Sequence, residues 1–325
     1  MSYELQAMPL DPTRQRPWRQ LGTGIEGCGS AHDALVAAGL AGWNVRKLEQ
    51  SATEITEQGA TRLDNPESVM LVRTDPATGR TRYLSTVGRN YGIYQNEDQA
   101  AVLDALVAES GAAGFSDAGS INDGRVTFVS MRMPQTMCLA GVDQVDLYLV
   151  VFNSHDGSGK FRVMVIPFRP FCANQLPLAG REALSSVSIR HTSKGGINVS
   201  EIRSKLGLLY RRADAFEEQA RRLLNTPMTT TEFTDVVSEL WPVKEDAPTR
   251  ARANAERRRG DLIRLWTSAE TQAPIRGSRW AGLMALTEYL DHYQPAKNRD
   301  IRARRVIAST TVRDIKQRAF EMLTR

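Results

Sequence analysis

Residues 142–176 read VDQVDLYLVVFNSHDGSGKFRVMVIPFRPFCANQL, and this stretch decides the fold. Two runs within it, Leu147–Phe152 and Phe161–Phe168, are rich in β-branched and aromatic side chains, which suit a pleated, half-buried surface. Between them NSHDGSGK (153–160) carries Gly157 and Gly159, residues that supply the positive φ of a tight reversal. The pattern predicts a β-hairpin with a polar tip. Strand alternation then puts Lys160 and Arg162 on one face with Met164, Ile166 and Phe168, and turns Arg169 to the other.

Outward from the hairpin, the pattern predicts an α+β protein. An antiparallel β-meander core carries packed helices and is followed by a helical C-terminal region. Residues 1–29 read as an irregular N-terminal segment, 30–226 as the α+β core and 227–325 as the helical region. AHDALVAAG (31–39) is a short helix opened by Ser30 or His32 and closed by Gly39. WNVRKLEQ (43–50) has a strand pattern, followed by a polar break to Asn65-Pro66. Ser68–Thr74 and Thr81–Val87 are strands joined by the turn DPATGR. Asn96 reads as the N-cap of a helix carrying Ala101, Leu103, Leu106 and Val107. Residues 111–124 read as a loop and Arg125–Met133 as a strand. Ser200 reads as the cap of a long helix reaching Leu224, with Phe216, Ala220 and Leu223 on its apolar stripe. From Thr229 onward, helical segments are separated by Pro242, Pro248, Pro274 and Pro295, the first of them capped by Thr230 or Thr231. Lys297–Arg305 (KNRDIRARR) reads as a basic loop.

The charge is unevenly spread. Residues 181–325 hold 27 Lys+Arg and 18 Asp+Glu, a balance of 27 − 18 = +9, whereas residues 1–180 hold 15 and 19, a balance of −4. A basic half favours a polyanionic partner, nucleic acid before membrane. No apolar run approaches the roughly 20 residues that span a bilayer, and the start lacks the apolar core of a signal peptide, so a cytoplasmic protein of a bacterial host is expected. Cys28, Cys138 and Cys172 lack CxxC spacing and read as reduced, mostly buried thiols.

Several stretches carry a resemblance: WNV (43–45), VGRNYGIYQNED (87–98), NSHDGSG (153–159), PFRPFCANQL (167–176), IRHT (189–192) and LTEYLDHY (286–293). Together they resemble a phage/plasmid-like protein family that carries a large domain of unknown function. The order strand, helix, β-meander, helix is also similar to the core of the Rad fifty-two type of single-strand annealing proteins. That second resemblance implies a homo-oligomeric ring or filament whose basic groove holds the backbone of single-stranded DNA, and it admits a partner nuclease or single-strand-binding protein. It places Lys160, Arg162 and Arg169 of the hairpin, with Arg181, Arg190, Lys194, Arg203 and Lys205, along that groove. Annealing needs no nucleophile, metal or cofactor, and none is expected.

Two other classes stay open on the residues. An adaptor or inhibitor would turn the same basic surface toward a host protein. A hydrolase would draw on the His155-Asp156 doublet as metal ligands, or on Cys172 with His191 and Asn174 as a thiol centre. The doublet lacks further His and Asp ligands at metal-binding spacing, and is read as shaping the turn ahead of Gly157.

Overall fold

The computed structural model describes residues 17–110, 114–157, 161–169, 174–175, 186–189 and 214–325. In chain order, helix α1 (Pro17–Leu21) and strand β1 (Gly22–Gly24) precede helix α2 (Ala31–Ala37). Strands β2 (Arg46–Thr56), β3 (Gly59–Thr74) and β4 (Thr81–Gly88) follow, then a 3-10 turn (Glu97–Gln99) leading into α3 (Ala100–Ser110). The meander is β5 (Phe115–Ile121), β6 (Val126–Leu139), β7 (Asp143–Ser154) and β8 (Phe161–Arg169), with short β9 (Asn174–Gln175) and β10 (Ser186–Ile189). The helices after it are α4 (214–225), α5 (Thr230–Leu240), α6 (Thr249–Ser268), α7 (Arg279–Glu288), α8 (Arg299–Ala308) and α9 (Thr310–Thr324). The α+β class expected from the sequence is the architecture observed.

The main sheet is antiparallel in the order β1-β5-β6-β7-β8-β10, with β9 also paired to β8. The expected hairpin is its centre: Leu149 pairs with Val165 and Phe152 with Arg162, and Gly157 adopts φ +73° in the turn. Alternation then covers both faces. Leu147, Leu149, Val151, Val163 and Val165 join a core that runs through α2 and α3 to Phe216, Trp280 and Phe320 of the later helices. Tyr148, Val150, Phe152, Ile166 and Phe168 face the other way, onto Trp18 of α1, with Ile307 of α8 packed against them. Trp18 sits between Tyr148 and Phe168, its ring centroid 5.4 and 5.5 Å from theirs. One apolar core therefore unites the meander with the helical region.

Four expectations are corrected. Residues 115–121 form a strand rather than a loop: FSDAGSI lacks β-branched bulk but is buried between β1 and β6. There the Gly22–Gly119 pair lets two backbones approach so closely that a Cβ on Gly22 would lie 2.4 Å from the Ala118 carbonyl oxygen. The polar break after residue 50 is a continuous ribbon, β2 pairing with β3 out to Thr56 and Gly59. KNRDIRARR contains a helix, α8, whose N-cap Asn298 accepts from the Ile301 amide. Helix α5 is capped by Thr229, one residue earlier than expected, where Thr229 and Glu232 form a reciprocal capping box.

Candidate functional site

The hairpin cations separate. Arg162 remains on the face predicted for it, partly buried, with its guanidinium 5.7 Å from the Phe152 ring centroid. Arg169 is corrected out of any groove, because it is fully buried. Its Nε donates to Asp143 Oδ1 at 2.7 Å and an Nη donates to the Thr271 carbonyl at 2.8 Å. Trp280 Nε1 donates to the other Asp143 oxygen at 2.7 Å, so this pair locks the sheet to the 3-10 turn Glu270–Ile275 and to α7. A guanidinium in this position is charge-compensated and closed to a strand of nucleic acid. Lys160, Arg181, Arg190, Lys194, Arg203 and Lys205 lie outside the described residues. On the described part of the long helix, Arg221 pairs with Glu217 and Arg222 with Glu218, one turn apart.

Other cations do gather. Helix α8 places Arg299, Arg302 and Arg305 at three-residue spacing, on one side of the helix. On α6, Arg258 lies 5.1 Å from the Trp241 ring centroid, and Trp241 meets Tyr289 edge to face at 6.3 Å. Burial pushes the Tyr289 phenol up, Asp261 acts in the same sense, and Arg258, Arg257 and Arg305 act on it in the opposite sense, so the two basic helices meet around this ring. Arg302 is held below the ordinary guanidinium range by burial first, then by repulsion from Arg305 and Arg299. Burial likewise lowers Arg258. Among the described residues none of Arg257, Arg258, Arg299, Arg302 and Arg305 forms an ion pair. Tyr289–Tyr293 between the helices is a π-helical turn, a widening of the helix that recurs at functional sites. It lies within LTEYLDHY.

Helix α8 packs on α1, and Ile307 of α8 lies against the apolar cluster that Trp18 forms with the meander face carrying Arg162. Sequence reading missed this assembly. The arginines were visible as a basic run, but three-residue spacing had no meaning while the segment was read as a loop.

Three other resemblance stretches meet inside the protein. Asn96 does not cap its helix: its backbone is helical and its side chain turns inward. Its Nδ2 donates to the Leu40 carbonyl at 2.8 Å, which fixes Oδ1 as the acceptor facing Thr127 Oγ1 at 3.2 Å and His155 Nε2 at 3.0 Å. The proton of His155 is therefore assigned to Nε2. Asn153 donates to the Tyr94 carbonyl at 3.1 Å, and Trp43 flanks His155 with ring centroids 6.0 Å apart. Outside this knot, Tyr91 donates to the Ser154 carbonyl and Ser154 to Asp156, both at 2.7 Å. Burial, and secondarily Asp156, push the Tyr91 phenol up to about 12. The buried His155 thus anchors the base of the hairpin tip. Among the described residues no three His, Cys, Asp or Glu side chains gather to hold a metal ion. Cys172 lies outside them, and Cys138, expected buried, is exposed.

A family model described as a domain of unknown function, DUF932, matches residues 83–313. The chain belongs to the DUF932 family. The match takes in the meander, the polar knot from Tyr91 to His155 and the basic helices α6 and α8, while β2 and β3 precede it. No curated protein and no solved structure matches this chain. Among the described residues no helix is long and apolar enough to cross a membrane.

Proposed function

We propose that this DUF932 protein binds single-stranded nucleic acid, DNA foremost, through its sugar-phosphate backbone and promotes strand annealing as an oligomer in phage or plasmid recombination. The observation that carries the reading is the set of five arginines on α6 and α8 that lack acidic partners among the described residues. Arg299, Arg302 and Arg305 repel one another, and a row of phosphates would relieve that repulsion while releasing condensed counterions. The meander followed by helices adds support by its likeness to the annealing-protein core, which is an analogy of topology. Annealing asks only that strands be held extended with bases free, so no residue is assigned a bond-making role.

A gel-shift titration with an unstructured oligonucleotide at increasing salt tests this. Affinity should fall linearly on a log–log plot, with a slope near −0.7 per phosphate neutralised, to about that precision. Arg302→Ala with Arg305→Ala should flatten the slope by about 1.4 on the same relation. Absence of binding at low salt would end the reading. The same cluster would then fit an acidic host protein, and capture of one surviving nuclease treatment would favour an adaptor or inhibitor.

A further inference from the structure

Helix α6 runs for 20 residues, yet the side chains it buries, Leu262, Leu265 and Trp266, all lie in its second half. From Thr249 to Gly260 only Ala255 and Arg258 are partly covered, and the rest are exposed. Ala251 stands on the same side as Ala255, Arg258 and Leu262 and is exposed as well, so the first turns project beyond the body. This half carries five Arg, one Glu and no Lys, a balance of 5 − 1 = +4. A helix that is polar on every side is ordinarily held by ion pairs one turn apart, or by a second body that it meets. Helix α4 has such pairs, Arg221 with Glu217 and Arg222 with Glu218. Among the described residues none of Arg250, Arg252, Arg257, Arg258 and Arg259 has one. Arg252 donates to the Ala247 carbonyl at 2.9 Å and Arg257 to the Asn254 side chain, bonds to neutral groups that leave both charges uncompensated.

These charges are ordered. At about 100° per residue, Arg250 and Arg257 fall on one flank two turns apart, and Arg252 and Arg259 fall on the opposite flank at the same spacing. Between the flanks, on the side turned away from Leu262, lie Thr249, Ala253, Glu256 and Gly260. Arg258 alone is on the inner side, over the Trp241 ring. A slender back between two cationic flanks suits two rows of negative charge set about one helix diameter apart. The major groove of B-form DNA is about 12 Å wide between its phosphate rows, and a helix with its side chains measures about 10–12 Å. A single strand offers only one row. Guanidinium groups also meet phosphate oxygens two at a time, which ammonium groups do not. Ala253 and Gly260 leave the backbone free to approach the groove floor. Glu256 would point at the base edges, where a carboxylate accepts from the cytosine amino group.

We infer that the projecting half of α6 enters the major groove of double-stranded DNA, as a second nucleic-acid site beside the single-strand one. The inference rests on the nucleic-acid reading for the class of partner alone, and Arg250, Arg252 and Arg259 have no part in the cluster that carries that reading. Strand annealing makes a duplex, and this arm takes hold of that product. An RNA duplex is closed to it, because the A-form major groove is deep and narrow.

Fluorescence anisotropy of the full chain tests this with three labelled probes: a DNA duplex, an RNA duplex of the same sequence and an unstructured DNA oligonucleotide. Wild type should bind the DNA duplex about ten-fold or more tighter than the RNA duplex. Arg252→Ala with Arg259→Ala should weaken the DNA duplex about ten-fold or more and flatten its salt slope by about 1.8, leaving the oligonucleotide unchanged. Arg302→Ala with Arg305→Ala should do the reverse. Alanine favours the helix, and circular dichroism would show that the α6 variant keeps the wild-type helical content. Three results would overturn the inference and leave the single-strand reading standing: oligonucleotide binding without duplex binding, equal affinity for the two duplexes, or an α6 variant that binds the DNA duplex like wild type or loses both DNA probes alike. Duplex binding that needs Arg252 and Arg259, with no oligonucleotide binding, would uphold the inference and end the annealing reading. Loss of all three probes in wild type would end both. Displacement of the duplex by poly-glutamate at equal charge would overturn the inference in favour of an acidic protein.

Discussion

Removing Arg169 should cost this protein a large part of its stability. Asp143 is 2% exposed in its side chain and Arg169 is fully buried, with 2.7 Å between them. In Arg169→Ala the carboxylate keeps the Trp280 N–H but loses its counter-charge in a site closed to solvent. Breaking one side of such a pair costs about 3–5 kcal/mol, and the Thr271 carbonyl, left without its donor, adds about 1 kcal/mol. A total of about 5 kcal/mol is a large share of the roughly 5–15 kcal/mol that holds a domain together. The double variant Arg169→Met with Asp143→Leu removes both charges and should recover most of the loss, leaving the Trp280 N–H and the Thr271 carbonyl unpaired. Urea unfolding followed by tryptophan fluorescence and far-ultraviolet circular dichroism measures each variant. The pair also joins the sheet to the later helices, so in Arg169→Ala the two signals should separate. A loss under about 1 kcal/mol, or a double variant no more stable than the single one, would refute the reasoning.

Raising pH should destabilise the fold between about 10 and 12, because the raised Tyr91 pKa means that the folded chain keeps a proton the unfolded chain has lost. That contribution is complete below the phenol's ordinary range and gone above about 12, and pH-dependent melting should show a shallower alkaline fall in Tyr91→Phe. Asn96→Ala should cost about 2–3 kcal/mol in chemical denaturation, since it strips acceptors from the buried His155 and Thr127 and a donor from the Leu40 carbonyl. Gly119→Ala should force β1 off β5, because its Cβ would lie 2.6 Å from the Gly22 Cα, and a cost of about 1–3 kcal/mol should appear as a lower melting temperature.

What could be read from the sequence follows burial. The hairpin strands and helices α3, α5 and α9 were legible because each turns apolar residues to a core at the period of its own geometry, and α7 because it is an apolar run buried on all sides. The ribbon of β2 and β3 was not, because an arm exposed on both faces needs no alternation, and RKLEQSATEIT then reads like a linker. Strand β5 hid for the opposite reason: buried on both sides and pressed against β1, it is built from small residues that resemble a turn. Arg169 read as a surface cation because its partner, Asp143, lies 26 residues away, and sequence spacing gives no sign of such a pairing. The cluster on α6 and α8 was half legible. Its residue types were plain, while their convergence on Tyr289 depends on how three helices pack.

Trp18 and Ile307 come from opposite ends of the chain, yet they close the same side of the meander. During synthesis Trp18 is available as soon as the meander emerges, whereas Ile307 arrives only after residue 307 has been made. The late contact is long-range in sequence, which predicts slow completion of this side and an interval in which the part that α8 covers is open to aggregation. Fragments that stop before residue 299 should therefore be recovered as inclusion bodies.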